Sequence, residues 1–333
     1  MKVYLYSGMQ KMIEKSGVGR AIHHQRLAAK KNGISIASHW KEADVLHINT
    51  VFPASYLLAV KAKKEHIPVV YHAHSTKEDF KNSYLGSNLF ANAFGWWIKR
   101  CYNTGDVIVT PSDYSKRLLC SYGIQKEVIV ISNGVDMSFF DRSKARVDTF
   151  RKKYGYSKQD KIILSVGLTI DRKGVTDFVE LAKRMPEYQF IWFGETDLRT
   201  VPAKTRHVVQ TKLPNLRFAG YAKPNDLRDA YGSCDLFLFP SKEETEGIVV
   251  LEALAMKIPI LLRDIPVYEG WLRHGETIYK AANIKEFEKQ ARAILECQCA
   301  SLTDAGYQVA AERSIEKVGN LLGIVYKSLA GKK

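Results

Sequence analysis

The chain alternates short apolar runs with helical patterns along nearly its whole length, and this alternation restricts it to few folds. The strand-like runs in the first part are Val3–Tyr6, Val45–Asn49, Pro68–His72, Val107–Thr110 and Val128–Ile131. Helical patterns separate them, for example near 21–32 and 54–65. Continuous apolar strands linked through helices are typical of a parallel sheet with helices on both faces.

The alternation stops in a polar, charged stretch around 138–160 and then starts again. The second set of strand-like runs is 161–166, 190–193, 216–218, 235–239 and 259–262. We therefore predict two doubly wound α/β domains, 1–150 and 151–315. The last helical pattern, Ser314–Leu329, is long enough to return across the boundary, so residues 316–333 are expected to pack toward the first domain. Such sheets bind ligands beyond the carboxyl ends of their strands.

Two glutamates with seven residues between them, Glu244 and Glu252, follow one of these strands. A Pro-Ser turn ends the strand, and helix formers follow from Gly247 onward. The apolar face of this predicted helix is formed by Ile248, Leu251, Glu252 and Ala255. A carboxylate on that face is costly to bury without strong partners. Glu252 therefore either pairs with a nearby Lys or Arg or binds the hydroxyl groups of a ligand.

Two turns suit an anionic ligand. Gly17 and Gly19 follow the first strand region and open a helix, where backbone N–H groups can approach a phosphate or sugar closely. Arg172 and Lys173 precede the helix pattern 175–184, whose N-terminus and two cations together suit a diphosphate. The alternatives are a simple loop for the first turn and a solvated charged turn for the second.

His72 and His74 lie at the end of an apolar strand and alternate with Ala73, so both side chains should face the same side. No third ligand is spaced nearby for a metal site. A general acid or base, or a hydrogen-bond donor to a substrate, is the favoured function, and a structural histidine at a strand end is the alternative.

The segment 87–100 combines aromatic and basic residues at helical spacing. Its predicted membrane or acceptor contacts are Phe94, Trp96, Trp97, Lys99 and Arg100. Tryptophan beside cations suits a bilayer interface, although an amphipathic core helix would show the same spacing. Residues 1–100 contain 15 Lys and Arg against 6 Asp and Glu, which is +9 of the net +15. This excess favours an anionic membrane surface over a merely basic soluble protein.

Other classes of protein lack their signatures here. No apolar run reaches the ~18 residues needed to cross a bilayer, and the first residues do not resemble a signal peptide. The five cysteines are odd in number and form no Cys-x-x-Cys pair, so a reducing, cytoplasmic setting is expected and zinc is not. The charge alone suggests nucleic acid, but no RNP-like, helix-turn-helix or zinc signature accompanies it.

Taken together, these motifs resemble the signature of retaining GT-B glycosyltransferases of family 4. The strand, the Pro-Ser turn and the Glu-x7-Glu pattern carry the likeness. The Gly-rich loop, the strand-end histidine, residues 132–136, the Arg/Lys-Gly turn and Phe218–Tyr221 follow in the family's order. The resemblance covers nearly the whole chain. It implies two Rossmann-like domains facing a central cleft, with the acceptor in the first and the nucleotide sugar in the second.

The resemblance also implies roles for single residues. Glu244 would contact the transferred hexose, Glu252 would hold the ribose hydroxyls, and His74, six residues after Pro68, would face the transferred sugar. Arg172 and Lys173 would neutralise the diphosphate. The implied catalytic residues are His74, Glu244, Arg172 and Lys173. The implied donor-binding residues are Gly17, Gly19, Arg172, Lys173, Tyr221, Glu244, Gly247, Ile248 and Glu252.

The sequence departs from the family pattern at three places. Leu168 follows Gly167 where the family often has arginine, so the cation supply falls more heavily on Arg172. Thr245-Glu246-Gly247 replaces a common Gly-Phe-Gly, and the extra carboxylate could reshape the hexose pocket. Lys257 stands where glycine is common.

Within the family, the glutamate and histidine segments together with the basic, aromatic first domain look most like bacterial diglycosyl-diacylglycerol synthases. This implies transfer of galactose or glucose from UDP-galactose or UDP-glucose to a glycolipid acceptor, monoglucosyl-diacylglycerol. The enzyme would lie on the inner, anionic face of the cell membrane without binding nucleic acid. The alternatives are a transferase for a capsule or wall polysaccharide precursor, a nucleotide-sugar-binding module without catalysis, and a basic nucleic-acid-binding protein.

We expect retention to proceed by front-face displacement, because the N-terminal motifs offer no carboxylate nucleophile about 5 Å from a partner acid. The leaving diphosphate would accept the proton of the acceptor, while the protein positions reactants and stabilises the leaving charge. No Asp-x-Asp motif is present and cations already line the phosphate turn, so neither a metal nor another cofactor is expected.

Overall fold

The computed structural model describes residues 1–9, 13–14 and 16–331, and within them it contains two parallel sheets of six strands each. The first sheet comprises β1 (Lys2–Tyr6), β2 (Ser35–Ile36), β3 (Val45–Ile48), β4 (Val69–His72), β5 (Val107–Thr110) and β6 (Glu127–Val130). The second comprises β7 (Ile162–Val166), β8 (Gln189–Phe193), β9 (Leu216–Phe218), β10 (Leu236–Phe239), β11 (Ile260–Arg263) and β12 (Tyr279–Ala281).

Helices connect the strands in the described part of the chain. The first seven are α1 (Gly17–Lys31), α2 (Pro53–Lys64), α3 (Lys77–Phe80), α4 (Ser87–Tyr102), α5 (Asp113–Ser121), α6 (Val147–Tyr154) and α7 (Val175–Arg184). They are followed by α8 (Ala203–Val209), α9 (Pro224–Ser233), α10 (Ile248–Ala255), α11 (Ile284–Leu295), α12 (Thr303–Ala311) and α13 (Ile315–Ala330).

The order of the strands creates one switch point in each sheet. The first sheet runs β2-β1-β3-β4-β5-β6 and the second runs β12-β11-β10-β7-β8-β9. In the first sheet, β2 lies on one side of β1 and β3 on the other, so the switch point is between β1 and β3. In the second sheet, β8 lies on one side of β7 and β10 on the other, so the switch point is between β7 and β10. Ligands of open α/β sheets bind outside the carboxyl ends of the strands at such points.

The chain forms two compact units that are not continuous in sequence. The first contains Met1–Phe80, Leu89–Val135 and Arg313–Lys333, and the second contains Lys81–Asn88 and Asp136–Glu312. The main boundary between the two units therefore follows residue 135, whereas the sequence predicts it at residue 150. The segment Lys81–Asn88 is grouped with the second unit, which the sequence patterns do not indicate.

The first unit buries both faces of its sheet. On one face, Val318, Leu322 and Val325 of α13 pack against strand residues that include Val3 and Val45. On the other face, a second cluster joins β3 and β4 to residues of α2, α4 and α5. The last helix therefore belongs to the core of the first unit, beside α1.

The second unit has its own hydrophobic core, formed between its sheet and the helices α7 and α11. Phe178 of α7 makes edge contacts with Phe190 and Trp192 of β8, and residues of α11 complete the cluster. All five residues of β7 are buried. The strand is therefore enclosed on both faces. The predicted phosphate turn follows its carboxyl end, where the chain leaves the core.

Candidate functional site

The candidate site of the second unit lies at the switch point of its sheet, where the loops after β7 and β10 meet. Arg172 and Lys173 form a 3-10 turn in the first loop, and Glu244 lies in the second. Lys242 donates its backbone N–H to the carbonyl of Arg172 at 2.8 Å. The fold thus brings the predicted diphosphate turn and the predicted hexose contact together.

A glycine allows the close approach of these two loops. Gly174 follows the turn in the left-handed region, with φ +77°. A Cβ atom added there would lie 2.2 Å from the carbonyl oxygen of Pro240, a distance that real Cβ atoms do not adopt. Any side chain at this position would therefore separate the phosphate turn from the glutamate loop.

We call Arg172, Lys173, Ser241 and Glu244 the ion cluster. Lys173 Nζ lies 2.5 Å from Glu244 Oε1, and Ser241 Oγ donates to the same oxygen at 2.7 Å. Glu244 is only 5% exposed. Burial alone would raise the pKa of its carboxyl group, but Lys173, Arg172 and the hydrogen bonds of Lys173 and Ser241 outweigh that effect and lower the pKa. Glu244 is therefore ionised at neutral pH.

The two cations of the cluster have different partners. Lys173 is paired with a carboxylate, whereas Arg172 donates from Nη1 to the carbonyl of Glu243 at 2.8 Å and from Nε to Ser83 Oγ at 2.9 Å. Both of these acceptors are neutral, and the charge of Arg172 also acts on Glu244, where it helps to lower the pKa of the carboxyl group. That the cation supply falls more heavily on Arg172 stays a prediction.

Helix α10 carries the second glutamate and is buried almost all round, because seven of its eight residues are buried. The sequence predicts the burial of Glu252, but the spacing indicates only one buried face. Glu252 is 1% exposed, and its Oε2 accepts a hydrogen bond from the hydroxyl of Tyr231 on α9 at 3.1 Å. Gly247 stands before the helix with φ +93°, and Ile248 is buried at its first position. Tyr231 is a partner that the motif does not reveal, because it lies on another helix.

Tyr221 and two of the residues that depart from the family pattern, Glu246 and Lys257, differ in exposure and in backbone conformation. Tyr221 is 43% exposed in the turn after β9. Glu246, the carboxylate that departs from the family pattern, is buried at 1% exposure. Lys257 adopts φ +51°, which explains why glycine is common at its position, since L-residues with a side chain rarely take that conformation.

The first unit has a buried polar group of its own, which we call the histidine cluster. It consists of Gln25, His47, Asn49, His72, His74 and Tyr326. These residues lie on or directly after α1, β3, β4 and α13, at and beside the first switch point. The rings of His72 and His74 stack with centroids 4.0 Å apart and an angle of 6° between planes, so they face the same side as predicted.

Burial makes the histidines of this cluster neutral. It lowers the pKa of His74 to about 3, and burial with a contribution from His74 lowers the pKa of His47 to about 3. Burial and both neighbouring histidines lower the pKa of His72. A neutral imidazole at every working pH favours hydrogen bonding to a ligand over proton exchange as the task of His74.

The two glycines of the early loop have unequal surroundings. A Cβ atom at Gly19 would lie 2.3 Å from the carbonyl oxygen of Ile13, whereas no atom of the described residues lies within 4 Å of one at Gly17. Ser16 caps α1 by accepting from the N–H of Gly19. Gly19 is thus required by local packing, and among the described residues none crowds Gly17 at the helix start.

The structure divides the residues predicted for membrane contact. Trp97 donates its indole N–H to the carbonyl of Val51 at 2.6 Å, and Phe94 stacks on Phe80 with centroids 4.3 Å apart. Both are half-buried against the core of the first unit. The prediction that Phe94 and Trp97 anchor the protein to a membrane surface is therefore wrong. Their helical spacing places them on the face of α4 that packs on the core, as in an amphipathic core helix.

Another face of α4 is open to solvent. Its apolar residues are Leu89, Phe90 and Trp96, which are 80%, 60% and 62% exposed. The Arg100 guanidinium lies 5.7 Å from the Trp96 ring centre, and Lys99 joins both residues in lining a shallow depression. Among the described helices, none combines the length and the apolar character needed to span a bilayer.

Among the described residues, no group of three or more His, Cys, Asp or Glu side chains is arranged to hold a metal ion. The histidine cluster does not form such a group, since its histidines bond to one another and to amide and phenol groups.

Comparison with known families assigns both parts of the chain. Residues 14–139 match Glycosyltransferase Family 4, and residues 146–310 match Glycosyl transferases group 1. A processive diacylglycerol alpha-glucosyltransferase of Acholeplasma laidlawii is 38% identical over 331 residues, which cover 99% of this chain and 98% of that protein. The alpha-galactosylglucosyldiacylglycerol synthase of Streptococcus pneumoniae is 30% identical over 77% of this chain and 68% of that protein.

Solved structures show the same fold at low sequence identity. Anabaena HepE in complex with UDP and glucose matches with a TM-score of 0.75 at 15% identity, over 98% of this chain and 99% of its own. Sucrose-phosphate synthase from Thermosynechococcus elongatus matches with 0.74 at 15% identity, over 97% and 80%. With the two parallel sheets, these likenesses confirm the predicted GT-B fold.

Proposed function

The chain belongs to the family 4, group 1 glycosyltransferases, and from this we propose that it moves a hexose from a UDP-sugar to a glucosyl-diacylglycerol at a membrane surface. The name of the Acholeplasma laidlawii relative, which aligns over 99% of this chain, describes glucosyl transfer to diacylglycerol. The finer proposal is that the donor is UDP-glucose or UDP-galactose, the acceptor monoglucosyl-diacylglycerol and the product a diglycosyl-diacylglycerol.

One observation carries the donor side of this proposal. The ion cluster holds a buried carboxylate and two cations at the switch point of the second sheet, directly before α7. Lys173 is balanced by Glu244, which leaves the charge of Arg172 and the N–H groups of the helix start for the diphosphate. Glu244 would then meet the hexose, and Glu252, held by Tyr231, would accept hydrogen bonds from the ribose hydroxyls.

We propose further that the transfer proceeds with retention and without a metal ion. The relative's name describes an alpha linkage, which front-face displacement at an alpha-configured nucleotide sugar would give. In that reaction the bond from the anomeric carbon to the diphosphate breaks as the bond to the acceptor oxygen forms, and the acceptor proton passes to the leaving phosphate. Arg172 and Lys173 would stabilise the leaving charge, a task that a divalent ion performs in other enzymes.

The exposed face of α4 supports a membrane-bound acceptor. Trp96 beside Lys99 and Arg100 places an interfacial ring next to two cations, and Leu89 and Phe90 add apolar surface on the same helix. Each basic residue near an anionic leaflet contributes on the order of 1 kcal/mol, so several together hold a protein reversibly. We place the working enzyme on the inner face of the cell membrane.

A matrix of donors and acceptors tests this function. Radiolabelled UDP-glucose and UDP-galactose are each incubated with vesicles that contain diacylglycerol, monoglucosyl-diacylglycerol or neither, with and without chelator. We expect label in a diglycosyl lipid with the glucosyl acceptor, and the same rate after chelation. Nuclear magnetic resonance of the product reports whether the new linkage is alpha.

Each part of the proposal fails on a separate result. Label in a polysaccharide precursor and not in lipid would replace the acceptor, and a beta linkage would exclude retention. Loss of activity with chelator that only Mn²⁺ restores would overturn the metal-free mechanism. Binding of the UDP-sugar with neither transfer nor hydrolysis would reduce the protein to a nucleotide-sugar-binding module.

A further inference from the structure

The hydrogen bonds of the histidine cluster determine which nitrogen of His74 carries a proton. Gln25 Nε2 donates to Asn49 Oδ1 at 2.7 Å, and His74 Nε2 lies 3.0 Å from the same oxygen. A side-chain carbonyl oxygen only accepts hydrogen bonds, so His74 Nε2 must be the donor. The neutral ring then has its unprotonated nitrogen at Nδ1.

The same reasoning orders the protons of the two other histidines. Gln25 Nε2 also lies 3.0 Å from His72 Nδ1, and because an amide nitrogen only donates, Nδ1 accepts. His47 Nε2, 3.1 Å from that atom, is therefore protonated, and its Nδ1 accepts from the hydroxyl of Tyr326 at 2.5 Å. His72 carries its proton on Nε2, which is buried and has no hydrogen-bond partner among the described residues.

We propose that Asn49 is a positioning residue for hexose transfer. It holds His74 as the Nε2–H tautomer, so that the ring accepts a hydrogen bond at Nδ1 from a hydroxyl of the transferred hexose. The stacked ring of His72 fixes the plane of His74, and the chain from Tyr326 through His47 fixes His72. The inference rests on the proposed function and on the role that the family resemblance implies for His74, a contact with the transferred hexose.

Without Asn49 the cluster would not select one tautomer. The titratable groups that surround His74 are His72, which stacks on it, and behind it His47 and Tyr326. In the described structure, neither a carboxylate nor a cation hydrogen-bonds to these rings. A buried neutral imidazole takes its tautomer from the group at its other nitrogen, and here that group is the Asn49 carbonyl.

A double-mutant cycle tests the proposal. The variants Asn49→Ala, His74→Ala and the double variant are compared with wild type by kcat and KM for the UDP-hexose. We expect Asn49→Ala to lower kcat roughly 10-fold, the lower end of the loss seen when a metal-bound histidine loses the partner that orients its ring, with little change in KM. In the His74→Ala background the same substitution should have almost no effect, because its target is gone.

Asn49→Asp gives a second readout, the pH dependence of kcat, which should not change if Asn49 has a purely structural role. Aspartate keeps an acceptor for His74 but adds a negative charge, which raises the pKa of a neighbouring imidazole toward the assay range. The kcat of this variant should therefore gain an acidic limb, between pH 5 and 7, that wild type lacks. This isosteric variant also keeps the test valid if Asn49→Ala does not fold.

The measurements distinguish failure of the His74 contact with the hexose from failure of the positioning role of Asn49. If His74→Ala keeps the wild-type kcat, the proposed contact of His74 with the hexose is wrong. If His74→Ala lowers kcat, but Asn49→Ala lowers it by the same factor in both backgrounds and Asn49→Asp shows no new limb, then His74 keeps its role and the positioning role of Asn49 is overturned.

Discussion

The buried polar groups at the two switch points differ in charge. The histidine cluster of the first unit is built from neutral rings, amides and a phenol, and its donors converge on two acceptors, His72 Nδ1 and Asn49 Oδ1. The ion cluster of the second unit is built from a carboxylate and cations, with Glu244 bonded to Lys173 and Ser241. One sheet end orients its side chains without charge, and the other holds a buried carboxylate beside two partly buried cations.

This difference matches the two ligand parts that each cluster is proposed to meet. A sugar hydroxyl needs a donor or acceptor of fixed direction, which a neutral tautomer supplies and a titrating group would not. A diphosphate needs positive charge, and a buried cation is stable only beside a carboxylate. Variants that remove charge from one cluster or add it to the other should therefore have unequal effects.

The largest effect is expected from removing the buried cation. Lys173→Met leaves Glu244 without its ion-pair partner, which typically costs about 3 kcal/mol or more of folding stability. It should also lower kcat by ~10²-fold through the loss of leaving-group stabilisation. Urea unfolding followed by hydrogen exchange of β7 and β10 peptides measures the first effect, and single-turnover transfer measures the second.

The double variant Lys173→Met, Glu244→Gln is the control for that prediction. It contains neither buried charge, so it should recover much of the lost stability while remaining inactive. A Lys173→Met protein as stable as wild type would show that water or Arg172 compensates Glu244, and the contrast between the clusters would lose its energetic basis.

Acid should weaken the first unit before the second. The folded-state pKa values of His24, His47 and His74 are about 3, below their unfolded value near 6.5. Their contribution to stability is therefore complete above pH 6.5 and is lost as the pH falls toward 3. At pH 5 the cost is up to about 2 kcal/mol for each buried ring. The lowered pKa of Glu244 makes its contribution disappear only below about pH 4.5.

Hydrogen exchange at pH 7 and pH 5, corrected for the intrinsic rate, measures this order. Peptides from β3 should lose protection while those from β10 keep it. His66→Asn serves as the control, because His66 is exposed and has the left-handed φ of +57° that asparagine tolerates. Earlier loss of protection in β10 would contradict the prediction.

An intermediate effect is expected at the nucleotide anchor. Glu252→Ala should weaken UDP binding roughly 10- to 100-fold, because charged hydrogen bonds are worth about 1.5–3 kcal/mol. Tyr231→Phe keeps the carboxylate and removes only one of its hydrogen bonds, so a loss of several-fold is expected. Isothermal titration calorimetry with UDP measures both, and an unchanged Kd in Glu252→Ala would remove the ribose role.

The smallest effect is expected at the surface of α4. Arg100→Ala should reduce flotation with anionic vesicles roughly 5-fold at low salt, which corresponds to about 1 kcal/mol for one basic residue. Binding to neutral vesicles should not change. Lys285→Ala, an exposed lysine of the second unit, is the matched control. Equal, salt-insensitive binding to both kinds of vesicle would contradict an electrostatic attachment.

Much of the fold could be predicted because apolar runs mark buried strands directly. The strand pattern at 161–166 corresponds to β7, and the helix pattern 175–184 coincides with α7. The missed strands, β2 (Ser35–Ile36) and β12 (Tyr279–Ala281), are short and lie at sheet edges. They bury too little apolar surface to leave a pattern in the sequence.

The site could be predicted only in part, because motifs name residues but not their partners. The spacing placed Glu252 on a buried face, yet its bond to Tyr231 joins two different helices. Asn49 and Tyr326 are absent from every motif, and each reaches the cluster across long sequence separations. Their only signal in the sequence is position: Asn49 directly follows a buried strand at the sheet's carboxyl end.

The grouping of Arg313–Lys333 with the first unit has a consequence for the order in which the protein forms on the ribosome. The strands of the first unit are made early, but their apolar face and His47 remain uncovered until Val318, Leu322 and Tyr326 have been synthesised. The second unit, encoded between these segments, is complete before then. The unit that is begun first is therefore finished last, and its uncovered sheet is where a nascent chain of this protein most needs protection from aggregation.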